Sequence, residues 1–153
     1  MDGKIRIREF TPSDADSLLE MHEQSAEYFE DLGINREFIL NISQRGDFRF
    51  LVAERDGEVV GFIGVLYYSN VGRGEIGPVC VDKSLRGRGF GSQLLEKAVT
   101  FLRGEGVSRV IARVKEGNTG GLKFFEGNGF QQEGFFKRYT LKGEDVVQFV
   151  KFI

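Results

Sequence analysis

The 153-residue sequence predicts an α/β protein built on a central sheet of mixed direction. Apolar residues alternate between a strand period of two and a helix period near 3.6, in the order β-α-α-β-β-β-α-β-α-β-β. Strand segments around Val79 and Val110 are apolar on both sides, as expected where helices cover both faces of a sheet. Other strands are joined by short glycine-containing turns, which link antiparallel neighbours. The length supports one domain spanning residues 1–153, with enough chain to bury a core without disulfides or metal staples.

Residues 4–10 set Ile5 and Ile7 against Arg6 and Arg8, a first strand. Thr11, Pro12, Ser13 and Asp14 place cap residues beside a proline at a first turn, which starts a helix. Ala15, Leu18, Leu19, His22, Ala26, Phe29 and Leu32 then recur at helical spacing, and Gly33 closes that helix. A short second helix covers residues 36–42. Residues 48–54 and 58–68 flank Asp56 and Gly57, a strong hairpin turn pair. Residues 75–81 form the next strand, and 92–103 an amphipathic helix with Leu94, Leu95, Ala98, Phe101 and Leu102 inward. A buried strand at 107–114 and a short helix at 119–127 follow. Residues 135–141 and 145–152 close the chain as a hairpin joined by Lys142, Gly143 and Glu144.

Composition removes several function classes. Hydrophobic residues at 41% and charged residues at 29% argue against disorder or a membrane span. Lys and Arg number 21 against 23 Asp and Glu, so the net charge of −2 supplies no general attraction to nucleic acid. One Cys and one His furnish neither an internal disulfide nor a four-ligand zinc site, so no metal is expected. The N-terminus has no signal-like apolar stretch and no run reaches the ~20 apolar residues of a membrane helix, so no membrane partner and a cytoplasmic location are expected. Glycine is the anomaly. Fourteen of its 21 residues lie between Gly72 and Gly134, which suggests backbone that approaches a ligand or turns sharply.

The sharpest segment runs Val79, Cys80, Val81, Asp82, Lys83, Ser84, Leu85, Arg86, Gly87, Arg88, Gly89, Phe90, Gly91, Ser92. A buried strand feeds a loop rich in Gly and Arg, which opens a helix. Amides at a helix start lack internal partners and the macrodipole is positive there, so the position suits a phosphate. Gly87, Gly89 and Gly91 let backbone reach such an anion, while Lys83, Arg86 and Arg88 add charge. Two common phosphate loops fail. The dinucleotide pattern meets Ser92 or Leu94 where its third glycine belongs, and the only Gly-Lys pair is Gly3-Lys4.

Arg86-x-x-Gly89-x-Gly91, with its preceding strand, resembles the signature of the GNAT superfamily of acyl-CoA-dependent N-acetyltransferases. The stretch from Asn118 through Phe124, Phe125, Glu126, Gly129 and Phe130 resembles that family's second segment, Asn-x-x-Ala-x-x-Phe-Tyr-Glu-x-x-Gly-Phe. The motifs cover residues 75–130, and the element order extends the likeness over nearly the whole chain. The resemblance implies a mixed, largely antiparallel central sheet with flanking helices, whose fourth and fifth strands splay apart. It implies acetyl-CoA as co-substrate, with the pantetheine arm on the main chain of Val79, Cys80 and Val81. The pyrophosphate would sit on Arg86, Gly87, Arg88, Gly89, Phe90, Gly91 and Ser92, with Asn118 on the pantetheine side. It also implies direct transfer to a primary amine, on a small molecule or a peptide.

Acetyl transfer to an amine needs a neutral amine, a polarised carbonyl and a proton for the departing thiolate. Glu75 is the base candidate, a carboxylate at the start of an otherwise apolar strand, where loss of water strengthens its hold on a proton. Its spacing, eleven residues before Arg86, resembles the general-base glutamate of the histone-acetyltransferase branch. Phe125 stands at the cofactor position where the family's usual proton donor is a tyrosine. Tyr139 on the closing hairpin, or Tyr67 and Tyr68, are the replacements the sequence offers. Ribosomal-protein N-terminal acetyltransferases carry a glutamate five residues before the asparagine, where this chain has Arg113, which ranks that branch low. The missing tyrosine supports a rival reading, a non-catalytic acyl-CoA-binding or sensing module of the same fold. A module that binds no cofactor is a third.

His22 lies on the apolar stripe of the first helix, where a lone histidine is more often a packed residue than a proton carrier. Glu20, Glu23, Glu27, Glu30 and Asp31 read as a solvated face. Cys80 reads as an inert small hydrophobe. The final strand, 146–153, is apolar enough to pair at its edge with a second copy in a homodimer. Gly120 and Gly121 weaken a helix start, and nothing in the sequence explains them.

Overall fold

The chain folds into the mixed sheet that its alternating segments predict. A computed structural model describes residues 4–29 and 33–153. The strands are β1 (Arg6–Glu9), β2 (Phe48–Arg55), β3 (Glu58–Tyr68), β4 (Arg73–Val81), β5 (Arg109–Lys115), β6 (Gln131–Phe136) and β7 (Val146–Phe152). The helices are α1 (Ala15–Gln24), α2 (Arg36–Ser43), α3 (Phe90–Gly104) and α4 (Thr119–Gly127). The seven strands form one sheet in the order β1-β2-β3-β4-β5-β7-β6, antiparallel throughout except for β4 beside β5.

Period-two alternation sorts the core onto the two faces of this sheet. Phe48, Phe50 and Val52 of β2 join Phe62 of β3 and pack under Ala15, Leu18 and Met21 of α1 and Ile39 of α2. Leu51, Ala53, Ile63 and Val65 face the other way, against Leu94, Leu95, Ala98 and Leu102 of α3 and Phe125 of α4. The two-sided apolar character of the central strands follows from this double covering. Asp56 and Gly57 both take positive φ, 51° and 81°, which matches the twist of the β2–β3 hairpin.

The start of α1 is anchored where the sequence places its cap. Asp14 is buried, accepts the Thr11 amide at 2.8 Å, and receives Arg8 at 2.8 and 3.0 Å. These bonds, Arg8 first, hold the Asp14 carboxyl below the usual carboxylate range against the opposing effect of burial. No helix among the described residues is long and apolar enough to cross a membrane.

Three expectations need correction. The first helix does not run to Gly33: α1 ends at Gln24, Ser25 caps it, and a 3-10 turn follows at Ala26–Tyr28. Ser25 is buried and bonded to Arg86, a partner that the local helical pattern cannot reveal. Leu32, Glu30 and Asp31 lie outside the described residues. The closing hairpin is shifted, since β6 ends at Phe136 and residues 137–145 form its turn. Thr140 and Glu144 bond each other through both side chains and backbone, and Arg138 turns with φ of 49°. Lastly, β7 is an interior strand between β5 and β6 and exposes no edge, which removes the basis given for a homodimer.

Candidate functional site

Strands β4 and β5 pair in parallel for four residues, from Arg73 opposite Arg109 to Ile76 opposite Ala112. Pairing stops there. The next two residues of β4 are Gly77 and Pro78, where the register with β3 also shifts, and proline has no amide hydrogen to donate to a neighbour. The strands diverge, and a cleft of about 830 Å³ opens between them.

Val79, Cys80 and Val81 of β4 line this cleft. Cys80 is only 3% exposed, and burial pushes its thiol up to about 12, opposed weakly by the Arg86 charge. It is a packed side chain, unfit as a nucleophile near neutral pH.

The loop after β4 supplies Arg86, Gly87, Gly89, Phe90, Gly91 and Ser92 to the lining, while Arg88 faces solvent outside it. Gly87 and Gly89 have φ of 79° and 84°, and a Cβ on either would meet nothing within 4 Å. Their glycines therefore serve backbone conformation and leave open space above the main chain. Gly91 serves packing instead: a Cβ there would lie 3.1 Å from the Phe124 ring. Gly89 caps the 15-residue α3, whose first amides point to no internal acceptor. Asp82 folds the preceding turn by accepting the Ser84 amide and hydroxyl at 3.0 and 2.6 Å. Open space, left-handed glycines and a free helix start together fit an anionic phosphate group.

Arg86 is not a loose cation on this loop. Its Nε donates to the Val81 carbonyl at 3.1 Å and its Nη2 to the Ser25 hydroxyl at 2.6 Å. It braces the loop against the end of α1.

Asn118 and Phe125 bring α4 to the cleft. Asn118 Oδ1 accepts the Gly121 amide at 2.9 Å, a helix N-cap. This accounts for one of the two unexplained glycines. A Cβ on Gly121 would fall 2.5 Å from Asn118 Nδ2 and 2.9 Å from Val114 Cγ1, whereas one on Gly120 would meet only ordinary contact. Phe125 is 7% exposed and packs with Phe124, Phe130 and Phe149.

Glu75 lies in the cleft wall where the strands begin to part. The isolated apolar setting that the sequence suggests is absent: its Oε1 stands 3.4 Å from Arg113 Nη1, and a third of its side chain is exposed. Arg113 in turn donates to Gln148 at 3.0 Å and sits over the Tyr139 ring at 5.8 Å. Tyr139 belongs to the turn after β6, is 45% exposed, and is absent from the cleft lining. Tyr67 is buried against Phe101, and Tyr68 lies on the surface outside the cleft. None of these three hydroxyls lines the cleft. Tyr28, in the 3-10 turn after α1, is the tyrosine that lines the cleft among the described residues. The helical pattern carried through that turn hid its position.

His22 also lines the cleft, half-buried and stacked on Phe29 with ring centroids 5.0 Å apart. Burial lowers its pKa, with Glu23 acting in the opposite sense. Glu20, Glu23 and Glu27 are exposed and stand outside the lining, as expected for a solvated face. Among the described residues no group of three His, Cys, Asp or Glu side chains is placed to hold a metal ion.

The comparisons with known proteins converge on one family. A model described as the acetyltransferase (GNAT) family matches residues 14–130. The chain is 28% identical over 141 residues to an uncharacterized N-acetyltransferase of Methanocaldococcus jannaschii, covering 86% of this chain and 62% of that protein. It is 26% identical to the L-amino acid N-acetyltransferase AaaT of Escherichia coli, covering 95% and 94% of the two chains. The crystal structure of a ribosomal-protein-alanine N-acetyltransferase from Brucella melitensis superposes with a TM-score of 0.81 at 27% identity, covering 97% and 99%.

Proposed function

This chain belongs to the acetyltransferase (GNAT) family, and we propose that it moves an acetyl group from acetyl-CoA directly to a primary amine. The observation that carries this reading is the cleft at the β4–β5 divergence, where the glycine loop, the main chain of Val79, Cys80 and Val81, and Asn118 converge. The α3 amides and the open backbone at Gly87 and Gly89 suit a pyrophosphate, and the strand edge left unpaired beyond Ile76 suits an amide-bearing arm. Acetyl-CoA, when bound, supplies a thioester carbon on which the amine forms an N–C bond as the C–S bond breaks.

Glu75 takes the proton that leaves the amine, directly or through one water, with Arg113 orienting its carboxylate. Phe125 has no proton to give to the departing thiolate. Of the tyrosines, Tyr28 lines the cleft and Tyr139 does not, which makes Tyr28 the donor candidate. Two of the relatives bear names that refer to an L-amino acid or to a ribosomal-protein alanine. An α-amine, on a free amino acid or a peptide, is therefore the acceptor class we favour. Arg113, standing where the ribosomal branch carries glutamate, speaks against a ribosomal protein. A cytoplasmic location is part of this reading.

Calorimetry with coenzyme A tests it. Gly89→Trp projects a ring into the open space over the loop, and coenzyme A affinity should fall at least tenfold while the protein stays folded. Unchanged affinity sinks the loop assignment. Thiol release over an amine panel tests the chemistry, with Glu75→Gln expected to lower kcat on the order of a hundredfold to ten-thousandfold at undiminished coenzyme A affinity. Tight coenzyme A binding without release of thiol from acetyl-CoA would favour the non-catalytic module, the reading that Phe125 supports.

A further inference from the structure

A second cavity of about 300 Å³ opens beside the first, between α1, α2 and the β2–β3–β4 face. Its walls are Leu18, Ile39, Ile42, Phe48, Phe62 and Leu66. His22, Ile34, Glu75, Gly77 and Pro78 line both cavities, so the two adjoin along a shared wall that includes Glu75. None of the glycine loop and none of α4 reaches the second cavity. The acetyl donor therefore has no claim on it.

Slack packing does not account for this space. Interiors are close-packed, and an empty apolar volume of this size inside a core is destabilising. Here it is open at a rim where Phe38 is 37% exposed, a large apolar ring left partly in water. Few polar side chains among the described residues enter the lining. Arg45 is held in a two-bond pair with Asp47 at 2.9 and 2.7 Å, and His22 is stacked on Phe29. Glu75 is the carboxylate of the shared wall, on the same side as an amine that would lose its proton there.

We propose that this cavity receives a bulky apolar side group of the acceptor, so that the substrate class is a primary amine carrying an aromatic or branched aliphatic group close to its nitrogen. The inference rests on the acetyl-transfer reading above and adds the acceptor's shape to it. The amine nitrogen lies at Glu75 and the apolar group turns away from the glycine loop into the ring of Phe48, Phe62 and Leu66. Burying such a group is favourable, and a preformed site supplies that burial without rearrangement. Free amines and peptide N-termini present the same chemistry.

The test compares kcat/KM for phenethylamine and L-phenylalanine amide with that for methylamine and glycine amide. The bulky members should lead by on the order of tenfold to a hundredfold. A peptide with an N-terminal phenylalanine, assayed alongside the amide, tells a peptide acceptor from a free one. Ile42→Trp fills the cavity from α2 and should cut the bulky-to-small ratio at least tenfold. Phe38→Gln, at the exposed rim, should cut it severalfold without touching the core. Calorimetry of phenethylamine against the protein saturated with coenzyme A reads the same subsite without turnover, and the heat should vanish in Ile42→Trp. Turnover of amines with no preference for bulk, or equal heats for phenethylamine and methylamine, overturns this inference and leaves acetyl transfer standing. Phenethylamine binding without turnover of any amine upholds the subsite and overturns the catalytic reading.

Discussion

Arg86 and Ser25 are joined by a hydrogen bond of 2.6 Å that spans 61 residues of sequence. It fastens the glycine loop to the end of α1, and so ties one wall of the cleft to the other. Ser25 is buried, so its loss leaves a guanidinium donor without its acceptor. Ser25→Ala should lower unfolding free energy by about 0.5–1.5 kcal/mol, since water reaches the exposed Arg86 donor, read from urea denaturation. Arg86→Lys keeps the charge but cannot make both bonds, and should weaken coenzyme A binding despite that charge. Equal affinity and equal stability in both variants would remove the brace.

Asn118 and Gly121 make a sharper contrast with Gly120 beside them. An alanine at 121 would press on the Asn118 amide and on Val114, while an alanine at 120 has room. Gly121→Ala should destabilise the protein by about 1–3 kcal/mol, and Gly120→Ala should be neutral or stabilise it by up to about 1 kcal/mol. Asn118→Ala, which removes the cap bond, should cost about 1 kcal/mol. Paired melting curves check all three, and the reverse order of the two glycine variants would refute the assignment.

The sequence made the sheet, the helices and the loop legible because each is written in short-range pattern. The bounds of α4 match the expectation, since a capping asparagine and an adjacent turn glycine sit within the segment itself. What failed depends on partners far along the chain. The stop of α1 at Gln24 is coupled to Arg86, and the setting of Glu75 is coupled to Arg113 across a parallel pair whose register no local pattern encodes. The shifted hairpin has a different cause. Phe135, Tyr139 and Leu141 have strand-like apolarity but stand exposed, while Thr140 and Glu144 close the turn by side-chain bonds that hydropathy does not register. Composition and periodicity alone make the cleft legible only as a loop seeking an anion, and the parting of β4 from β5 is expected from the family resemblance instead. Gly77 and Pro78, the residues at which the strands part, sit in a run of apolar residues whose local pattern does not mark the break.

Cys80 gives a test of burial in the cleft wall. With its thiol pushed up to about 12, the thiolate fraction at pH 8 is smaller than for an ordinary cysteine by on the order of a thousandfold. Iodoacetamide should leave the native protein almost unmodified and label it rapidly in urea, as followed by mass spectrometry. Native labelling at the rate of a free thiol would mean that β4 opens far more readily than its packing indicates.

His22 and Asp14 together determine how stability responds to acid, in two separate windows. Burial lowers the His22 pKa in the folded state below the ordinary 6.5, with Glu23 opposing. Above that value both states are neutral and the contribution is fully present. As pH falls through it, the unfolded chain takes up a proton that the folded one refuses, so stability declines. Asp14, held below 3.8 chiefly by its bond from Arg8, adds a second loss only when pH drops below that range. Urea denaturation from pH 8 to about pH 5 should therefore show a decline that His22→Gln flattens, while Asp14→Asn leaves the slope of that window in place. A His22→Gln profile as steep as that of the parent protein would mean that the acid sensitivity arises elsewhere than at the stacked imidazole.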